Sequence, residues 1–454
     1  MVFICEILFM LSPNYFIETF GCQMNVADSE LVARLLEECG YSETNDMKKA
    51  DIIFMNTCAI REKAEETVHN RLESIHYLKK KNPQLIFGVL GCMAQNLKND
   101  LLESKPYVDI ILGPDSYRRI PEIINNRKMH NDHQVDTRLS KFEVYDSLLP
   151  IRKSGSNAWV SISRGCDKFC TFCIVPFTRG RERSRSMQSV IKEVKDAISN
   201  GFNEITLLGQ NVNSYRTADG KFPELMELVA KVKGLDRIRY MSPHPQDMDE
   251  HLIKIMSKYD NICNYIHLPL QSGSDRILKR MNRTYSKKDF LSLVDLIKKY
   301  IPECVISTDI IVGFPGETEE EYEDTLDVME QVIFDRAFMF KYSSRPGTKA
   351  AEYTDQIEEN IKQDRLARLI EIQQLHTLKA NQRHVGKVLK VMVERESKKS
   401  SSQWIGRTEG NVSVIFNKNN ECFQDIVDVL IQDAQGMSLF GSRILEKDLE
   451  YEIN

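Results

Sequence analysis

Residues 159–173 read WVSISRGCDKFCTFC. WVSIS alternates apolar and polar positions, as a half-buried strand does. It runs straight into a loop with cysteines at C-x3-C-x2-C spacing, Cys166, Cys170 and Cys173. Thiolates so spaced converge on one face of an iron–sulfur cluster. Three local cysteines leave one iron of a four-iron cubane open, and an open coordination position belongs to catalysis rather than to structure. A zinc knuckle or unrelated buried thiols are the alternatives. Zinc sites come as paired C-x2-C motifs or with histidine partners, which this stretch lacks. The loop follows a strand at its carboxyl end, the face on which parallel barrels carry their active sites.

Working outward, five further strand patterns follow: EITLLG, RIRYMS, NYIHLPL, VISTDIIVGF and RAFMFKYS. Helical patterns between them begin near Ser186, Pro223, Asp247, Ser286 and Glu317. This alternation predicts a parallel (βα)6 partial barrel, since a closed eight-fold barrel needs about 250 residues. Upstream, apolar runs at 15–19, 51–55, 85–90 and 108–112 alternate with helical patterns and predict a small open parallel α/β sheet. Downstream, KVLKVMVE, WIGRTE, VSVIF, DIVDVLIQDA and MSLFGSRI predict a five-stranded β-barrel. The expected fold class is therefore α/β, with domains at 14–128, 152–383 and 384–447 and a linker at 129–151.

Three more cysteines share one logic. Cys22 follows YFIETFG, Cys58 follows DIIFMNT and Cys92 follows LIFGVLG. Each ends a parallel strand just before a helix, on the edge where open α/β sheets bind ligands and where helix N-termini favour thiolates. Three small core residues would be the plainer reading. Equivalent placement in three βα units favours a second cluster. Cys5, Cys39, Cys263, Cys304 and Cys422 have no such placement and read as ordinary residues.

Bulk properties narrow the class. The chain has 454 residues, 42% hydrophobic and 28% charged, with a net charge of −5. Any nucleic-acid-binding surface must be local. Eleven cysteines in so long a chain do not make a secreted disulfide scaffold. The apolar start, MVFICEILFMLS, lacks a basic n-region and a cleavage site and is too short to span a bilayer. A cytoplasmic protein without a membrane partner is expected. TRGRERSR places Arg179, Arg181, Arg183 and Arg185 just past the cluster loop. A guanidinium row suits phosphates, and a solvated charged loop is the alternative.

Taken together, ETFGCQMN, NTCAIREKA, LGCMAQ, GCDKFCTFCIVPFTRGRERSR, LLGQNVNSY, HLPLQSGSDRILKRMNR, DIIVGFPGETEEEYEDT and YSSRPGTKAA resemble the radical S-adenosylmethionine methylthiotransferases, from about residue 14 to 446. The resemblance is closest to the branch that acts on N6-dimethylallyl(isopentenyl)adenosine beside the anticodon of tRNA. It implies two [4Fe-4S] clusters, one on Cys166, Cys170 and Cys173 that binds S-adenosyl-L-methionine, and one on Cys22, Cys58 and Cys92 that presents sulfur. It implies radical abstraction of hydrogen from C2 of the base, sulfur insertion and methylation, with an electron donor and a sulfur source as partners. Related branches act on threonylcarbamoyladenosine or on a ribosomal-protein aspartate. A zinc-stabilised RNA-binding protein without catalysis is the alternative from a different class.

Where radical enzymes often carry Gly-Gly-Glu, this chain has Leu208-Gly209-Gln210. Gln210 is still able to accept a hydrogen bond from the cofactor amine. Residues Gly313 to Glu317 resemble a late glycine motif near the cofactor, with a plain β-to-α turn as the alternative. The terminal barrel resembles a TRAM domain. Lys387, Lys390, Arg395, Lys398, Lys399 and Arg407 make its first half basic and fit an RNA-facing side. Carrying no cluster cysteine, this barrel is expected to be removable without loss of either cluster.

Overall fold

The computed structural model describes residues 12–58, 62–153 and 155–444. The apolar run at the start, except Ser12, lies outside these residues, as does Cys5.

The first domain is one all-parallel sheet built from β1 (Asn14–Thr19), β2 (Ser42–Glu43), β3 (Ile52–Thr57), β4 (Ile86–Gly91), β5 (Ile110–Leu112) and β6 (Gln134–Asp136), in the order β2-β1-β3-β4-β5-β6. Strands β3 and β4 are buried at every position, because helices cover both faces. Separate apolar cores fill the two sides, one around Phe54, Leu90 and Tyr117, the other around Phe87, Val89 and Met93.

The stretch expected to be a linker is part of this domain. It supplies the edge strand β6 and the buried Tyr145, whose hydroxyl donates to Pro114 O at 2.8 Å and accepts from Tyr117 N at 3.0 Å. A three-residue edge strand followed by isolated anchors leaves no periodicity to read.

The central domain is the expected open barrel. Strands β7 (Asn157–Ser161), β8 (Glu204–Leu208) and β9 (Arg237–Tyr240) form one parallel sheet. Strands β10 (Tyr265–His267), β11 (Val305–Val312) and β12 (Arg336–Lys341) form another, and a parallel bridge from Ile238 to Ile262 links the two. The helices start where their caps predict. Ser186 accepts from Ser189 N, and capping boxes Ser286–Asp289 and Thr318–Glu321 open the later two. Val160, Ile205, Leu207, Ile238, Ile266, Ile306 and Ile310 pack outward on the helices. The alternate residues of the same strands therefore face the barrel interior.

The last five strands, β13 (Val388–Glu396), β14 (Gln403–Thr408), β15 (Ser413–Asn417), β16 (Ile426–Gln435) and β17 (Ser438–Arg443), close in the order β13-β14-β15-β17-β16. This barrel is not a loose appendage. Arg237 donates to Arg407 O and Lys390 O, Arg239 to Glu409 O and Thr408 O, and Arg336 to Met437 O. At Gly410 the two domains come so close that a Cβ would lie 2.4 Å from a Val305 methyl. The terminal barrel thus closes the amino-terminal floor of the central one. Among the described residues, no helix is long and apolar enough to cross a membrane.

Candidate active site

The cluster loop is held in shape by its backbone. Gly165 has φ +78°, and a Cβ there would lie 2.1 Å from Arg181 O, so glycine is required. Cys166 N donates to Gly180 O, Asn282 Nδ2 donates to Lys168 O and Phe169 O, and Thr171 N donates to Met281 O. Arg283 Nη1 approaches Cys170 Sγ at 3.5 Å, a cation placed to hold a thiolate. Burial pushes the Cys166 thiol up to about 11 and the Cys173 thiol up to about 12. Metal binding here would have to release those protons.

The second triad forms where three βα turns meet. Cys22 caps the helix Gln23–Glu38, Cys92 opens the helix Cys92–Leu97, and Cys58 follows β3. Gly21 has φ +126°, and a Cβ there would lie 2.5 Å from Cys58 Cβ, which shows how closely the turns approach. A hydrogen bond from Cys58 lowers Cys22 to about 6, with Arg179 adding to the effect. Burial raises Cys92, although Arg179 Nε donates to its Sγ at 3.1 Å.

Among the described residues, no three His, Cys, Asp or Glu side chains are arranged about a single metal ion.

The two triads meet across a buried ion-pair network. Arg164, at the start of the cluster loop, donates to Asp28 Oδ1 at 2.8 Å. Arg179, just past the loop, donates to Asp28 Oδ2 at 2.8 Å as well as to Cys92. Cys22, Met24 and Ala27 pack on Trp159, Leu208 and Met241 at the carboxyl ends of β7, β8 and β9. The second triad therefore sits over one side of the barrel mouth.

This overturns the reading of the arginine row as a phosphate-facing strip. Arg179, Arg183 and Arg185 are buried, held by Asp28, Asp115 and Glu193 respectively. The carboxylates that neutralise them come from distant segments or from the next helix, so the row looked unpaired in sequence. Arg181 alone of the row is exposed, paired with Asp167 at 2.6 Å.

The Gly313–Glu317 segment serves as the turn. Glu317 Oε2 accepts from Gly313 N at 2.6 Å and from Arg365 Nη1 at 2.9 Å, and burial pushes its carboxyl up to about 7. A Cβ at Gly313 would lie 2.4 Å from the Lys362 side chain. The Gly313 amide and one oxygen of Glu317 are thus held in fold contacts, while Glu317 Oε1 is buried without a partner.

Gln210 Oε1, the expected acceptor for the cofactor amine, accepts instead from Gly165 N at 2.5 Å. Its Nε2 is buried without a partner. Ser163 Oγ, Asn211 Oδ1, His244 Nε2 and Gln271 Oε1 are likewise buried and unpartnered. All follow the ends of β7 to β10, in a ring around the mouth. Buried polar atoms are normally paired, so this ring fits a polar ligand such as S-adenosyl-L-methionine. Sequence reading missed Asp28, Asp115 and Arg283. Arg283 lies within HLPLQSGSDRILKRMNR, and that segment was the signal for it.

Lys387, Lys390, Arg395, Lys398 and Lys399 are all exposed on the terminal barrel. Arg407 is half-buried and pairs with Glu394 at 2.8 Å.

Comparison with known proteins gives three successive matches. Residues 14–113 match uncharacterized protein family UPF0004, residues 160–329 the radical SAM superfamily, and residues 382–444 the TRAM domain. The tRNA-2-methylthio-N(6)-dimethylallyladenosine synthase of Christiangramia forsetii is 46% identical over 94% of this chain and 93% of its own. Its counterpart in Porphyromonas gingivalis is 46% identical over 94% of each chain. Among solved structures, the radical S-adenosylmethionine methyltransferase TsrM from Kitasatospora setae superposes with a TM-score of 0.58 at 13% identity, over 75% of this chain and 77% of that one. At such identity the likeness speaks for the fold alone. The identity to the synthases, held across nearly the full length of both chains, is of another order: the chain belongs to the tRNA-2-methylthio-N(6)-dimethylallyladenosine synthase family of radical S-adenosylmethionine enzymes.

Proposed function

We propose that this enzyme adds a methylthio group to C2 of N6-dimethylallyladenosine beside the anticodon of tRNA. As a radical SAM methylthiotransferase it uses S-adenosyl-L-methionine and [4Fe-4S] clusters. The observation that carries the reading is the junction of the two cysteine triads, where Arg179 binds Asp28 and Cys92 while Arg164 binds the same Asp28. One rigid network thereby places a sulfur-bearing wall over the mouth of a radical barrel.

In this reading Cys166, Cys170 and Cys173 hold the cluster that binds S-adenosyl-L-methionine, and Cys22, Cys58 and Cys92 hold the second. When bound, these groups supply the radical that takes hydrogen from C2, the sulfur that replaces it and the methyl group that caps the sulfur. The protein positions them. Arg283 and Arg179 place positive charge at Cys170 and Cys92. Gln210 orders the first loop through Gly165 N and leaves its amide NH2 for the ligand. The packing of Met24 and Ala27 on Trp159, Leu208 and Met241 keeps water from that side of the mouth. Lys387, Lys390, Arg395, Lys398 and Lys399 grip tRNA phosphates, point charges that position the RNA without reading its bases. An electron donor and a sulfur source complete the partners. The working units are residues 14–151, 152–383 and 384–447.

The test is metal analysis with nucleoside mass spectrometry on purified Cys170→Ala and Cys58→Ala. Each variant is expected to hold about four irons against about eight in the parent. Cys170→Ala should lose cleavage of S-adenosyl-L-methionine, whereas Cys58→Ala should keep cleavage and lose thiolation. A colourless zinc-loaded parent, or equal loss of cleavage in both folded variants, would overturn the assignment.

A further inference from the structure

We propose that Arg283 is the counter-ion of the cluster on Cys166, Cys170 and Cys173, and that its charge raises the reduction potential of that cluster. The inference rests on the cluster assignment proposed above.

Neighbouring cations around the cluster loop already have a carboxylate. Lys168 pairs with Asp247 at 2.8 Å, Arg181 with Asp167 at 2.6 Å and Arg280 with Asp355 at 2.8 Å, while Arg164 and Arg179 share Asp28. Arg283 differs. Its Nε donates to Tyr285 Oη at 3.0 Å and its Nη2 to the Pro269 carbonyl at 3.1 Å, both neutral groups. Its Nη1 is turned to Cys170 Sγ at 3.5 Å. Among the described residues, no carboxylate pairs with this half-buried guanidinium. Leaving a charge unpaired away from water is costly. The arrangement therefore fits a site whose ligand is itself the anion.

The position is fixed from both sides. Arg283 N donates to Leu278 O at 2.8 Å, at the end of the helix Asp275–Arg280. The residues just before it are bonded to the cluster loop. Thr171 N donates to Met281 O, Thr171 Oγ1 to Arg280 O, and Asn282 Nδ2 to Lys168 O and Phe169 O. Tyr285 Oη, which accepts from Nε, lies 2.9 Å from Pro269 O and 2.8 Å from Leu270 O. The nearby imidazole adds no second charge. His244 stands edge-on to Tyr285 with centroids 5.7 Å apart. Burial, then the charges of Arg283 and Lys168, push His244 down to about 2, so it stays neutral.

A four-iron core on three thiolates is a net anion, and one electron accepted from a reductant makes it more negative. A fixed positive charge stabilises the more negative form more, so it raises the midpoint potential. Arg179 reaches Cys92 in the same way, but its charge is offset by Asp28. Arg283 brings its charge to Cys170 without such an offset.

The test is a potentiometric titration with dithionite, followed by electron paramagnetic resonance, on reconstituted full-length enzyme without S-adenosyl-L-methionine. A Cys58→Ala background leaves the first cluster as the source of the signal. Arg283→Gln should lower the midpoint, the equilibrium constant for reduction falling about tenfold or more, which is about 59 mV for a one-electron couple. Arg283→Lys, which keeps the charge, should stay closer to the parent. Lys288→Gln removes a charge from the exposed start of the next helix and should leave the midpoint unchanged. A folded, iron-loaded Arg283→Gln with the parental midpoint, or an equal shift in Lys288→Gln, would overturn the role. Should Arg283→Gln fail to hold iron, Arg283→Lys decides. Iron kept by the lysine variant supports the counter-ion. Iron lost from both overturns it, because the loop then needs the hydrogen bonds of the guanidinium and not its charge. A background enzyme without a four-iron signal would overturn the cluster assignment itself.

Discussion

Two boundaries of the central barrel are built from arginines, and they use different partners. Above the mouth, Arg164, Arg179 and Arg183 meet the carboxylates of Asp28 and Asp115, at most 1% of whose side-chain surface is exposed. Below the floor, Arg237, Arg239 and Arg336 donate mainly to backbone carbonyls of the terminal barrel. A carboxylate neutralises a buried guanidinium and fixes its direction, so the upper joint is stiff and depends on particular side chains. A carbonyl carries only a dipole, which the fold supplies whatever the side chain. The lower joint therefore holds the barrel in place without constraining the sequence of the strands it grips.

The sharpest break of this comparison is Asp28→Ala. It strands two buried guanidiniums at once, and a loss of about 3–5 kcal/mol is expected in denaturant unfolding, with loss of iron from the second triad. A loss under about 1 kcal/mol would mean that the upper joint is not stiff.

Arg237→Ala should cost less, about 1–3 kcal/mol, because it leaves the carbonyls of Arg407 and Lys390 unpaired rather than a charge. Faster amide exchange in β14 than in β7 would locate the damage at the floor, and uniform acceleration would contradict it.

Deleting residues from 386 onward tests the same joint from the other side. Water then solvates the freed arginines, so the melting temperature should fall less than in Asp28→Ala, while the salt dependence of tRNA binding flattens. The barrel floor opens in this variant, so iron retention is expected to suffer, in contrast to the sequence-based expectation of a removable domain.

Smaller still, Lys398→Ala/Lys399→Ala should leave stability within about 0.5 kcal/mol. It should reduce the log–log salt slope of tRNA binding by about 1.5, at roughly 0.7–0.9 per phosphate contact. An unchanged slope would move the RNA grip elsewhere on the molecule. Arg181→Ala marks the lower limit. Its pair with Asp167 is open to water, and no change in melting temperature is expected.

Much of this was legible in the chain itself. Cys166, Cys170 and Cys173 lie within eight residues, so spacing alone declares their common purpose. Cys22, Cys58 and Cys92 are far apart, yet each ends a parallel strand, and the sheet must bring such ends to one edge. The helix starts at Ser186, Ser286 and Thr318 were readable from their caps.

What the sequence by itself determined is the set of elements and the local motifs, because hydrophobic period, caps and ligand spacing act over a few to twenty residues. What only the tertiary structure decided is which charges and aromatics find partners. Arg179 and Asp28 are 151 positions apart in the chain but share a hydrogen bond, and nothing local reports whether an arginine will meet water, phosphate or a buried carboxylate. One oxygen of Glu317 is held by Arg365, on a later helix, a partner that no local pattern marks. Phe338 reads as an ordinary strand residue, and its exposure exists because β12 is the edge of a barrel that does not close. The docking of the terminal barrel was invisible for a deeper reason: its acceptors are backbone carbonyls, which every residue carries and no sequence pattern marks.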